Sequence, residues 1–237
     1  LPNGYLGFHR AKGRLERFDE VFPDDDPFLF LRYVGLGFWL GFEYPRAPER
    51  VDLVTRALPA PKYRHLVHDG YGFKVGFFGH ARLDRGDMSL PANLRRLDGF
   101  ARQSAMSGLG RSIWFFVMDR PEAGFDLARK LGPDRDAVLG GLGLAAGFTF
   151  VDDLPRAYAA ADALPPGERV HFEKGLRISL FVRASADAVY LGSLLARLPP
   201  DLRIRAGKDL ERALKVGEET RHKEGFIEEF HRGCYLA

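Results

Sequence analysis

Apolar residues along the chain recur at helical rather than strand spacing. Leu154, Ala157, Tyr158 and Ala161 fall three and four apart, on one helix face, and strict apolar–polar alternation is scarce. Leu164-Pro165-Pro166-Gly167 ends that stretch, because a proline ring removes a helix hydrogen bond and clashes with the turn before it. Upstream, Asp134-Arg135-Asp136 offers N-caps for a helix running to about Phe150, and Asp152-Asp153 offers them for the next. The unit is thus a helix, a turn, a second helix and a breaker. Similar breakers recur at Leu58-Pro59, Leu131-Gly132-Pro133 and Leu198-Pro199-Pro200.

The leading helix of each unit carries glycines. Gly35-Leu-Gly37-Phe-Trp-Leu-Gly41-Phe42, Gly70-Tyr-Gly72-Phe-Lys-Val-Gly76-Phe77, Gly108-Leu-Gly110-Arg-Ser-Ile-Trp114-Phe115 and Gly141-Leu-Gly143-Leu-Ala-Ala-Gly147-Phe148 are near-copies. Gly175-Leu-Arg177-Ile-Ser-Leu-Phe181-Val182 is a degenerate fifth, and Gly4-Tyr-Leu-Gly7-Phe8 a candidate first. The steps between leading glycines are 35, 38, 33 and 34 residues, close to the ~34 of helix–turn–helix repeats. Taken alone, GLGLAAGF at 141–148 matches a dinucleotide-binding turn. Repetition at this pitch, with no buried strand before Gly141, argues against NADP, and no motif calls for a cofactor.

The prediction is an all-α, α-solenoid-like array of about six helix-hairpin repeats in one domain over 1–237. Its units run approximately 1–26, 27–62, 63–97, 98–133, 134–167 and 168–201, with 202–237 as C-terminal capping helices. Each helix glycine costs about 1 kcal/mol relative to alanine, so the glycines need a reason. Gly37 with Gly41, Gly72 with Gly76 and Gly143 with Gly147 share faces that admit a neighbouring helix or, in a sharper reading, line a slot for a long apolar ligand. Gly110, Arg111 and Trp114 belong to the same groove. The phenylalanines just past the glycines, Phe42, Phe77, Phe115 and Phe148, with Val182 in the fifth copy, are expected to fill the space between layers.

Composition narrows the class. With 46% hydrophobic residues and 20 Phe, the chain is no disordered segment. Its net charge of +3 is spread among alternating signs, so no nucleic-acid footprint is expected. The single cysteine, Cys234, forms no internal disulfide and makes a poor nucleophile candidate, which suits the cytoplasm. The best apolar run, 33–42, is short and glycine-interrupted, so no integral membrane insertion is expected. The chain opens on Leu1 rather than Met, which leaves room for a preceding or removed segment.

Three histidines follow a glutamate by three residues: Glu168 with His171, Glu219 with His222, and Glu228 with His231. Paired Glu-x-x-His elements hold metal in carboxylate-bridged di-iron bundles. His222 and His231, read as one helix over 215–232, lie nine residues apart and point to opposite sides, so they make no common site. His65, His68 and Asp69 form a second candidate metal cluster, although Asp69 has a simpler role as N-cap of the glycine helix. Arg111 is the charge expected to be drawn inward, either to bind a carboxylate or phosphate or to pair with Asp119 or a loop carbonyl. Pro23-Asp24-Asp25-Asp26-Pro27 reads as a loop capping a helix. No Gly-x-Ser-x-Gly elbow or phosphate loop is present.

Asp69-Gly-Tyr-Gly-Phe73 followed by Gly76-Phe-Phe78, Gly108-Leu-Gly-Arg-Ser-Ile-Trp-Phe115 and Gly141-Leu-Gly-Leu-Ala145 resemble, in that order, the repeated motifs of the UnbL-type family. That bacterial family is encoded beside enediyne polyketide synthases and in other gene clusters, and the similarity runs from about Tyr5 to Arg183. It implies bacterial specialised metabolism and no particular reaction. The chain departs from the family pattern at Lys74-Val75, where the family carries His-Glu, and at Met106-Ser107, where it carries Asp-Gln. Val138, Leu139 and Gly140 replace polar and aromatic residues, so a site built there in relatives is altered here. A tetratricopeptide-like resemblance over 142–166 concerns architecture alone.

The function expected is that of a non-catalytic helical-repeat binding or scaffold protein whose partner is a protein or an apolar small molecule. The alternative is an enzyme acting on a polyene-like intermediate between repeats, metal-assisted or not. A third is a peripheral-membrane partner of a transporter.

Overall fold

The computed structural model describes Asp26, residues 28–58 and residues 60–235. The Gly4–Phe8 motif and Asp24-Asp25 lie outside the described residues. Within them there are eleven α-helices and no strand. Five hold the glycine motifs: α1 (Leu29–Glu43), α3 (Arg64–Asp84), α5 (Gly99–Val117), α7 (Arg135–Thr149) and α9 (Pro166–Ala196). Shorter helices follow the first four: α2 (Pro48–Arg56), α4 (Ser89–Leu94), α6 (Pro121–Lys130) and α8 (Leu154–Asp162), and the chain continues into α10 (Pro200–Thr220) and α11 (Phe226–Gly233). The alternation of long and short helices follows the repeat pitch.

Helix starts depend on proline more than on the aspartates. Asp134 and Asp153 make no side-chain capping bond, whereas α2, α6, α8, α9 and α10 carry proline in their first two positions. There the missing N–H costs nothing and φ is already helical. Pro166 therefore opens α9 instead of ending the helix before it. Asp26 accepts the backbone N–H of Phe28 at the entry to α1 and pairs with Arg32. At the end of α3, Gly86 has φ 81°. Its N–H reaches the Leu83 carbonyl while Asp87 N–H reaches Arg82, the paired bonds of a Schellman ending.

Two boundaries differ from expectation. Asp187 has φ −156° and ψ 88° inside α9, so the sixth unit bends without a loop. The Asp187 carboxylate accepts the Tyr190 N–H at 2.8 Å, acting as the N-cap of the second segment. Further on, 215–232 is not one helix: α10 ends at Thr220 and α11 begins at Phe226, which puts His222 in the turn between them.

Contacts group the chain into two compact units, Leu1–Phe116 and Val117–Ala237. In the first unit, α1 packs on α3, and Tyr33, Leu36, Val67, Tyr71 and Trp114 are fully buried. In the second, α7 packs on α9, α9 on α10 and α10 on α11, around Leu139, Leu142, Phe172 and Tyr158.

The glycines explain how the long helices meet. Gly37 faces the Val67 carbonyl of α3, and Gly70 of α3 faces the Val34 carbonyl of α1. The exchange repeats between α3 and α5, with Gly72 on Ala105 and Gly108 on Asp69, and between α7 and α9, with Gly143 on Phe172 and Gly175 on Gly140. At each of these crossings a methyl group would fall inside van der Waals contact of backbone. Contacts advance in the same direction on both helices, so each pair runs parallel.

By length and composition α9 is the one described helix able to cross a membrane. Its Glu173 and Arg177 are ion-paired inside the second unit, the latter also to Asp209.

Candidate functional site

The glycine faces are occupied. Gly37, Gly72 and Gly143 meet neighbouring backbone, Gly76 and Gly147 meet Ser112 and Ser179, and Gly41 meets the Lys74 stem. Gly110 and Trp114 are buried within α5. At the motif glycines whose surroundings are described, protein fills the room that a slot would need.

The phenylalanines behave differently from expectation. Phe42, Phe77 and Phe115 are exposed rather than filling an interlayer space, and Phe148 and Val182 are only half-buried. One residue past the glycine face is a rotation of about 100°, which turns each ring away from the helix contact. In the first unit the last turns of α1, α3 and α5 bring the rings together with Phe78 and Phe116. Phe78 is 62% and Phe42 50% exposed. Ring centroids lie 5.3 Å apart for Phe42–Phe78, 5.7 Å for Phe77–Phe78 and 5.3 Å for Phe77–Phe116, so the plate is continuous across three helices. Phe38 and Phe73 lie against it, and His80 stacks on Phe116 at 3.8 Å. The Phe-Phe doublets are visible in the sequence; their outward direction follows only from knowing that the glycines face in.

Two cations serve the plate. The Lys74 stem crosses Gly41, where a methyl would sit 2.7 Å from its Cδ, and its Nζ reaches 4.6 Å from the Phe42 ring centre and 5.9 Å from that of Phe78. Burial lowers the Lys74 pKa below the ordinary lysine value. No carboxylate among the described residues pairs with it. Arg111 stacks over Phe73 at 5.0 Å and pairs with Asp69 of α3, not with Asp119, which pairs with Arg156. Asp69 is buried in mid-helix and caps nothing. Burial raises its pKa, against the pull of Arg111 and Ser107.

The metal candidates disperse. His68 Nε2 lies 3.2 Å from Asp52 and 3.4 Å from Thr55, while Asp69 serves Arg111. The His68 bond and, in part, Arg56 hold Asp52 down at about 2 despite its burial. His65 rests edge-on to Phe100 at 4.9 Å, accepts from Arg64, and burial pushes its pKa down to about 3. Glu168 receives Arg129 through both oxygens and lies near Arg135, and Arg129 is the main cause of its lowered pKa. Among the described residues, no three His, Cys, Asp or Glu side chains are grouped to hold a metal ion.

The second unit carries a line of polar groups that sequence spacing did not reveal. Lys174 donates to the Tyr235 hydroxyl at 2.8 Å, His171 Nδ1 lies 3.3 Å from the same oxygen, and His171 Nε2 lies 3.4 Å from Asp136. Burial brings Lys174 down to about 8. The neighbouring Cys234 is buried, and desolvation pushes its thiol up to about 12, the wrong direction for a nucleophile.

Residues 8–163 match the family model described as "Protein of unknown function (DUF1702)". No curated protein and no solved structure matches the chain.

Proposed function

Since the chain belongs to the DUF1702 family, whose description names no activity, we propose from its own surface that it is a non-catalytic helical-repeat binding protein. Its ligand is an apolar small molecule, received on the phenylalanine plate of the first unit. The observation that carries this is the continuity of exposed rings from Phe42 through Phe78 and Phe77 to Phe116. Exposed apolar residues scattered singly are ordinary on a soluble surface, whereas a contiguous aromatic patch marks a binding site.

Titration with the uncharged fluorophore N-phenyl-1-naphthylamine tests the reading. Phe42→Ser/Phe78→Ser should weaken dye binding by about tenfold or more, with the helical circular dichroism unchanged. Equal dye affinity in the folded double variant would refute the plate as the binding surface.

The enzyme reading has one observation in its favour, the Asp136–His171–Tyr235–Lys174 line. We further propose a cytoplasmic setting in bacterial specialised metabolism of the enediyne polyketide type. Its support is the single buried thiol and the resemblance of the glycine-aromatic motifs.

A further inference from the structure

Lys74 is a half-buried ammonium that pairs with no carboxylate among the described residues. Five arginines of the unit have carboxylates: Arg32 has Asp26, Arg56 has Asp52, Arg82 has Asp87, Arg96 has Glu49 and Arg111 has Asp69. Lys74 has ring faces only. Gly41 permits this placement, since any side chain there would displace the lysine stem. Partial withdrawal from water weakens the hydration of an ammonium, and ring faces replace only part of it. An anion arriving from the open side of the plate completes the pairing.

The form of the site selects among anions. A single ammonium is a point charge, whereas phosphate recognition usually combines several donors or an arginine fork. Arg111, the nearest guanidinium to the plate, is already committed to Asp69. Attraction to an anionic membrane scales with the number of basic residues at the contact, and of the two plate cations only Lys74 lacks a carboxylate. What remains is one negative charge joined to an apolar body that covers the phenylalanines.

Resting on the plate as the binding surface, we infer that the ligand is a long-chain apolar monocarboxylate whose carboxylate pairs with Lys74 Nζ while its chain lies across Phe42, Phe78 and Phe77. Lys74 is then the specificity-determining residue of the site, and the phenyl rings supply affinity without regard to the head group.

The test uses the full chain and displacement of N-phenyl-1-naphthylamine by decanoate and decyltrimethylammonium below their micelle concentrations and by decanol below its solubility limit. Decanoate should compete about tenfold better than decanol, and the cationic analogue worst, as a single partly desolvated ion pair warrants. Lys74→Met should bring decanoate to within about twofold of decanol while decanol competes as before, and Lys74→Arg should keep the carboxylate preference. Unchanged decanol competition also shows that Lys74→Met is folded. Equal competition by decanoate and decanol in the parent protein, or a preference that survives in Lys74→Met, overturns the carboxylate assignment and leaves the plate standing. Failure of all three ligands to displace the dye overturns the plate and the inference together. Lys74-dependent binding to phosphatidylglycerol vesicles without decanoate competition makes the face a membrane contact and overturns the inference.

Discussion

Replacing Gly143 by alanine isolates the energetics of the glycine crossings. The added methyl would lie 2.7 Å from the Phe172 carbonyl carbon and 3.0 Å from its Cα, where ordinary contacts sit at about 3.5–4.0 Å. The obstruction is backbone, so no rotamer change relieves it. Helices α7 and α9 must part by roughly 1 Å, and a gap of that size forfeits up to about half of each affected contact's attraction. Overpacking of this kind costs about 1–3 kcal/mol, and the upper end applies to a rigid obstruction. Alanine returns about 1 kcal/mol of helix propensity, which leaves a net loss of about 2 kcal/mol. For a chain of this size each kcal/mol moves Tm by about 2–4 °C, so the variant should melt roughly 4–8 °C lower. Gly192→Ala is the control. Gly192 is exposed within α9 and an added methyl meets nothing within 4 Å, so the same change should raise Tm by about 2–4 °C. Differential scanning calorimetry reads both. A Gly143→Ala protein that melts at or above the parent would refute the close-packing account.

Two further outcomes follow from buried charge. Burial keeps His65 neutral in the folded state down to about pH 3, while the unfolded chain takes up the proton near its ordinary value of about 6.5. The unfolded state therefore binds more protons between these values, and stability declines as the pH is lowered, by about 2.3 kcal/mol from pH 6.5 to 4.5. Urea titrations of His65→Gln should show a flatter pH dependence, and an unchanged slope would remove His65 as its source. Arg111→Met strands the Asp69 carboxylate in the interior and should cost about 3–5 kcal/mol. Arg111→Met/Asp69→Asn should recover much of the loss in urea unfolding, and a double variant less stable than Arg111→Met alone would contradict the buried-pair assignment.

Much of the architecture was legible because helices are local objects. Gly37/Gly41 and Gly143/Gly147 spacing, the breaker prolines and the step between copies all act within a few turns, and the long and short helices fall where they indicate. The site was less legible because it depends on rotation and on distant partners. Phe42 and Phe77 look like core residues by composition, and only the inward direction of their glycines turns them out. Arg111 meets Asp69 across 42 residues of sequence and Lys174 meets Tyr235 across 61. Asp187 reads like any helix aspartate until its backbone leaves helical geometry. The Glu168–His171 spacing was real but misleading, because nearby arginines compete for the glutamate.

The reciprocal glycine contacts have a consequence for the plate. Turning α1 by one residue's angle, about 100°, would drive Leu36 or Phe38 into the Val67 carbonyl that Gly37 now faces. The same holds for α3 if Gly70 leaves the Val34 carbonyl. Each helix is keyed against spinning about its own axis by its smallest residues. That keying aims the largest ones, so Phe42 and Phe77 stay outward and the ligand proposed above would meet a surface already assembled.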